Sequence, residues 1–198
     1  MGSFSAEKER TVESEHSMQD HQGNTVALPE DARQQVVSYL KHQASKSTSD
    51  LLTLVDRAAG SIEQSLAGVS ESQARFRPSP DEWSVADVLR HVDAAMRSTG
   101  RIIEALATGK EARPDMDAPP VVEDAGKTLA ELRDGVARSY AEVRAAVAAI
   151  PDGPAPTTAL HPFFGDLNSK EWTAFVYVHS RDHADQIEKV KAHPGFPR

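Results

Sequence analysis

The chain has 198 residues, 39% hydrophobic and 26% charged, with 30 acidic against 22 basic side chains and a net charge of −8. That length suits one domain with a tail, and the composition is ordinary for a soluble globular chain. An acidic chain without a basic cluster argues against nucleic acid as a partner, because phosphate neutralisation needs a basic face. The longest apolar runs, near Ala145–Ile150 and Ala174–Val178, fall far short of the roughly 20 residues a membrane span needs. There is no cysteine, which excludes disulfides, thiolate ligands and a cysteine nucleophile, so any thiol chemistry needs a thiol from outside the chain.

Residues 1–28 are polar and aperiodic and are expected to be a disordered leader. The first ten residues lack the apolar core of a signal peptide, so a cytoplasmic location is expected. Pro29-Glu30-Asp31 opens a short helix to about Ala44, with proline and acids in its first turn. A polar break at Ser45–Ser49 precedes a longer helix to about Ala67, with Leu51, Leu52, Val55, Ala58, Ile62 and Leu66 at helical spacing. One long kinked helix is the alternative reading of these two.

Two prolines in Arg75–Pro80 interrupt regular structure. Ser84 with Asp87 then makes a capping box, and Trp83 can staple onto Val88. The helix that follows carries Val85, Val88, Leu89, Val92, Met96, Ile103 and Leu106, and is ended by Gly109 and Pro114. After a proline-containing linker, Thr128 with Glu131 caps a helix to about Ile150. Its Leu129, Leu132, Val136, Tyr140, Val143, Val147 and Ile150 repeat like a bundle seam. Pro151–Leu167 reads as a proline-rich loop, and Asn168 with Glu171 caps the last helix, which runs to about Ala192. No strand pattern stands out. Four long amphipathic helices with long connections predict an all-α fold, a four-helix bundle over residues 29–193.

At about 100° per residue, Trp172, Val176, His179, His183 and Val190 fall within roughly 60° of one another. Two histidines thus sit on the core-facing stripe of the last helix, one turn or about 6 Å apart. His-x-x-x-His on a helix can place two imidazoles on one metal ion. The alternative is that both rings are satisfied by carboxylates or waters in a wetter core, since unpartnered buried polar groups cost about 1–3 kcal/mol each. His91, at the edge of the stripe of Val88, Val92 and Ala95, is the natural third nitrogen if the pair holds a metal. Otherwise it is a boundary residue. His161, just before Pro162-Phe163-Phe164-Gly165, has a second role available near a pocket mouth.

Two blocks carry a family resemblance. One runs from Arg77 through Pro78, Pro80, Trp83-Ser84 and Asp87 to His91-Val92. The other runs from His161-Pro162-Phe163-Phe164-Gly165 through Glu171-Trp172 to His179-Ser180-Arg181-Asp182-His183 and Gln186-Ile187. Together they resemble the DinB-like superfamily of metal-binding four-helix bundles, which includes YfiT-type metal hydrolases, over about residues 50–190. The resemblance implies His91, His179 and His183 as ligands of one divalent metal. Asp182 departs from the basic or aromatic residue that relatives often carry there.

An all-nitrogen ligand set suits zinc, nickel, iron or copper, and three imidazoles leave a coordination position open for water or substrate. Several members of the family are similar to thiol-dependent transferases and isomerases. The first expectation is therefore a small-molecule enzyme that directs a low-molecular-weight thiol at an electrophile. Metal-dependent hydrolysis, non-catalytic sequestration of a small molecule and a metal-free structural bundle are the alternatives. Asp87, Asp182, Asp185 and Gln186, with His161, are the candidates for orienting imidazole N–H groups. Each has a plainer reading, for the helix residues that of a solvated face. Arg75 and Arg77 could hold an anionic substrate, or simply lie at the surface. A homodimer is common among relatives, although no exposed face supplies an assignable seam.

Overall fold

The computed structural model describes residues 17–19, 25–27, 29–113, 126–153 and 157–198. The leader expected over residues 1–28 lies outside these, apart from two three-residue strands. These are β1 (Ser17–Gln19) and β2 (Thr25–Ala27), which pair antiparallel. The helices are α1 (Glu30–Ala44), α2 (Thr48–Ser65), the one-turn α3 (Glu71–Ala74), α4 (Val85–Ala107), α5 (Leu129–Ala148) and α6 (Ser169–Lys191). Strands β3 (Thr158–His161) and β4 (Gly165–Asn168) lie between α5 and α6.

Capping boxes close the N-termini of α2 at Ser47 and Asp50, α4 at Ser84 and Asp87, α5 at Thr128 and Glu131, and α6 at Asn168 and Glu171. Each satisfies backbone N–H groups that the helix itself leaves without acceptors. α4 stops in a Schellman motif. Gly109, at φ 72°, sends its N–H to the Leu106 carbonyl, and Lys110 sends its N–H to the Ala105 carbonyl. α1 and α2 are separate helices, because the Ser47 cap starts a new one rather than bending the first.

Helices α2, α4, α5 and α6 form the four-helix bundle. α4 lies against α5 and α6, and α2 lies against the same two. The chain therefore crosses the bundle on the diagonal between α2 and α4, and again between α5 and α6. Such steps need long connections, which accounts for the length of the segments between α2 and α4 and between α5 and α6. The seam predicted for α5 is buried throughout, from Leu129 to Ile150, as are the predicted apolar positions of α4. α1 packs outside the bundle, on α6. No helix among the described residues is long and apolar enough to cross a membrane.

The segment expected to be a loop over Pro151–Leu167 contains a hairpin instead. His161 pairs with Gly165 and Thr158 with Asn168. The strands have four residues each, too short for an alternating pattern to stand out among prolines. Gly165, at φ 76°, leads out of the turn in the left-handed region, which glycine enters without steric cost. Ala159, His161 and Leu167 face inward, whereas Leu160 is 63% exposed. The hairpin folds over the start of α6, where the Trp172 indole N–H donates to the Ala159 carbonyl at 3.3 Å.

Candidate metal centre

Two capped helix starts set the positions of the three histidines. On α4, Ser84 Oγ accepts the Asp87 N–H, and Asp87 Oδ2 accepts from the Ser84 N–H at 2.9 Å and its hydroxyl at 2.6 Å. That fixes the first turn, and His91 stands two turns beyond the cap. On α6, Asn168 and Glu171 fix the start in the same way, with His179 and His183 on successive turns further along. The packing of α4 on α6 brings the faces together.

His91, His179 and His183 each offer a nitrogen, and these nitrogens all lie within 4.8 Å of one another. Ring centroids are 5.2 Å apart for His91 and His179, 4.7 Å for His91 and His183, and 4.4 Å for His179 and His183. His183 is buried, while His91 and His179 are partly buried. Burial holds the His179 imidazole well below its usual pKa, and the neighbouring His183, His91 and His161 push it further the same way. It is therefore neutral, with a lone pair available.

His179 Nε2 is buried with no hydrogen-bond partner among the described residues. Such an atom costs about 1–3 kcal/mol unless something binds it. A divalent ion among three nitrogens would remove that cost, and the donor set is one that zinc, nickel and iron accept. The residues present thus fit a metal ion.

Around the histidines the walls are aromatic. Trp83 lies against His91 at 5.1 Å and stacks within 14° of the His183 ring at 6.3 Å; Phe175 lies 5.5 Å from His179. The sequence suggested only a staple for Trp83 and no role for Phe175. Phe175 was legible in principle, standing one turn before His179 on the same stripe.

His161 is buried at the end of β3, enclosed by Phe164, Trp172 and Phe175 at 4.8, 5.0 and 4.3 Å. Its Nδ1 accepts the Phe163 backbone N–H at 3.2 Å, and burial lowers its pKa to about 3. It is a neutral member of the aromatic cluster that joins the hairpin to α6, separated from His179 by Phe175.

The other candidates divide sharply. Gln186 is buried, with Oε1 2.8 Å from His183 Nδ1. Asp182 and Asp185 are exposed, and Asp185 pairs with Arg181 at 3.3 Å. Asp87 is fully buried, and its carboxylate serves the cap and two arginines, with Arg77 at 2.7 Å and Arg90 on the other oxygen. Arg77 is thereby an ion-pair partner at the base of α4, and Arg75 bonds Glu71 and the Lys127 carbonyl. Two surface hollows, of about 340 Å³ between α1 and α6 and about 400 Å³ along the end of α4, are lined by none of the three histidines.

Residues 54–187 match the family model described as the DinB superfamily. The uncharacterised protein YuaE of Bacillus subtilis (strain 168) is 20% identical over 142 residues, 64% of this chain and 88% of YuaE. Among solved structures, the four-helix bundle protein TT2238 superposes with a TM-score of 0.57 at 20% identity, covering 72% of this chain and 99% of its own. YfiT from Bacillus subtilis, a probable metal-dependent hydrolase of unusual four-helix bundle topology, gives 0.59 at 12% identity. That match covers 86% of this chain and 92% of YfiT. At these identities the structural likeness is one of fold.

Proposed function

The chain belongs to the DinB superfamily, and from that premise we propose that it is a metal-dependent small-molecule enzyme built on His91, His179 and His183. The observation that carries this reading is the convergence of three imidazole nitrogens within 4.8 Å, one of them buried and unpartnered. A bound divalent ion, zinc, nickel or iron, would supply Lewis acidity and lower the pKa of a water or thiol towards neutrality. The three histidines would hold it, and their neutral, nitrogen-only set leaves a position for an external ligand. Trp83 and Phe175 pack against the rings of the ligands.

Two chemistries follow from one site. In the first, a low-molecular-weight thiol is the activated group and attacks an electrophilic small molecule. The absence of cysteine is consistent with a thiol supplied from outside. In the second, water is the activated group and the reaction is hydrolysis, a reading supported by the fold likeness to YfiT. The substrate is in either case a small molecule rather than nucleic acid, in keeping with the net charge of −8. We place the enzyme in the cytoplasm and include a homodimer among its working forms.

Elemental analysis of the purified chain beside His183→Ala tests the site. One transition metal per chain, lost in the variant, is the expected result. Equal and negligible metal in both after reconstitution would refute it. Turnover of electrophiles with added thiols, against turnover of esters or amides without them, then separates transferase from hydrolase. Tight metal binding with neither activity would leave a sequestration protein.

A further inference from the structure

We propose that Gln186 is a positioning residue that fixes the tautomer of His183, so that Nε2 is the nitrogen offered to the metal. The proposal rests on the metal-site reading above and deepens it. Gln186 stands one turn beyond His183 on α6, the i, i+3 spacing at which side chains meet. Both are buried, so neither can exchange its partner for bulk water. The amide oxygen lies 2.8 Å from Nδ1. A carbonyl oxygen only accepts, which places the ring proton on Nδ1 and the lone pair on Nε2. The opposite tautomer would need the amide turned over, with its NH2 donating to Nδ1, and would put a proton where the metal should bind.

A neutral imidazole left to itself exchanges between both tautomers. Here the ring is held at its edge by Gln186 and on its face by Trp83, which stacks within 14°. The acidic residues nearby on the same helix, Asp182 and Asp185, are exposed. A neutral amide thus does at His183 what a carboxylate does in many metal sites: it orients the ring through its second N–H.

The test uses the full chain with Gln186→Leu, which removes the acceptor at similar size, and Gln186→Glu, which keeps an acceptor in the same place. Nitrogen NMR of the histidine rings in metal-free protein reads the tautomer. Competition with a chelator for zinc reads affinity, and circular dichroism verifies the fold. The expected result is a His183 proton on Nδ1 in the wild type, tautomer mixing in Gln186→Leu with zinc affinity weakened about 10–100-fold, and recovery of both in Gln186→Glu. If Gln186→Leu does not fold, Gln186→Met takes its place. An unchanged tautomer in the folded apolar variant, or no recovery with Glu, would overturn the proposal. A wild type that takes up no zinc, yet whose tautomer responds as described, would refute the metal-dependent function and leave the positioning by Gln186 standing.

Discussion

Replacing Asp87 by alanine removes one carboxylate that performs three tasks. It caps α4 through Ser84, pairs with Arg77 at 2.7 Å and pairs with Arg90, all from a position with no solvent exposure. Loss of a cap typically costs about 1 kcal/mol. The larger effect concerns Arg90, whose side chain is only 11% exposed and whose Nε and Nη1 are buried without partners among the described residues. Removing its counter-ion leaves a buried cation uncompensated, which costs about 3–5 kcal/mol. Arg77, at 46% exposure, recovers hydration and adds little. Asp87→Ala should therefore lose about 3–5 kcal/mol in urea unfolding at neutral pH, with an unchanged m-value. The control is Asp50→Ala, which removes the same capping box at the exposed start of α2 and should cost far less. Asp87→Asn, which keeps an acceptor for Ser84 but no charge, should retain most of the loss. Equal costs at Asp50 and Asp87 would refute the argument that burial and the arginines, rather than the cap, dominate.

His161 supplies a pH test. Its folded pKa, lowered to about 3 by burial, lies beneath the unfolded value of about 6.5, so the unfolded chain binds the extra proton between them. Its contribution is complete above pH 6.5 and is lost as pH falls towards 3, at about 1.4 kcal/mol per unit. His161→Phe should flatten that part of the stability profile measured by denaturant titration. Asp50 and Glu71, whose carboxyls are held below their usual range by bonds from Ser47 and from the Leu129 N–H, add stability above the ordinary carboxylate range. They lose it as pH falls through their folded values, so a shallow decline below the ordinary carboxylate range should persist in His161→Phe. Tyr140→Phe, which removes the buried 2.6 Å bond to Ser180 between α5 and α6, should cost about 0.5–1.5 kcal/mol by thermal unfolding. Gly60→Ala in the middle of α2, where an added Cβ meets nothing within 4 Å, should gain about 0.5–1 kcal/mol.

The helices were legible because their signals are local. Ser84-x-x-Asp87, Thr128-x-x-Glu131 and Asn168-x-x-Glu171 announce their starts within four residues, and the apolar spacing of α4 and α5 shows which face is buried. The hairpin at Thr158–Asn168 was not legible, because four-residue strands carry too little periodicity to be told from a loop. The same limit governed the site. His179 and His183 declare their common face through a four-residue spacing, and Gln186 lies one turn on. Spacing left Gln186, three residues from His183, level with Asp182, three residues from His179, while Asp185, two residues from His183, stands off that face. Burial made that choice: Gln186 faces inward, and the two aspartates face solvent.

Residue order settled what depends on neighbours along the chain: where the main helices begin, which stripes are apolar, and that two histidines share the core face of the last one. Packing settled what depends on separation through space. Packing of α4 on α6 brought His91 to the pair and turned Trp83 from a staple into a wall of the centre, while the fold of the segment before α4 laid Arg77 on Asp87. Capping and periodicity act over a few residues and leave their mark in the order of residues. Convergence of side chains from different helices depends on crossing geometry and burial, which only the folded chain possesses.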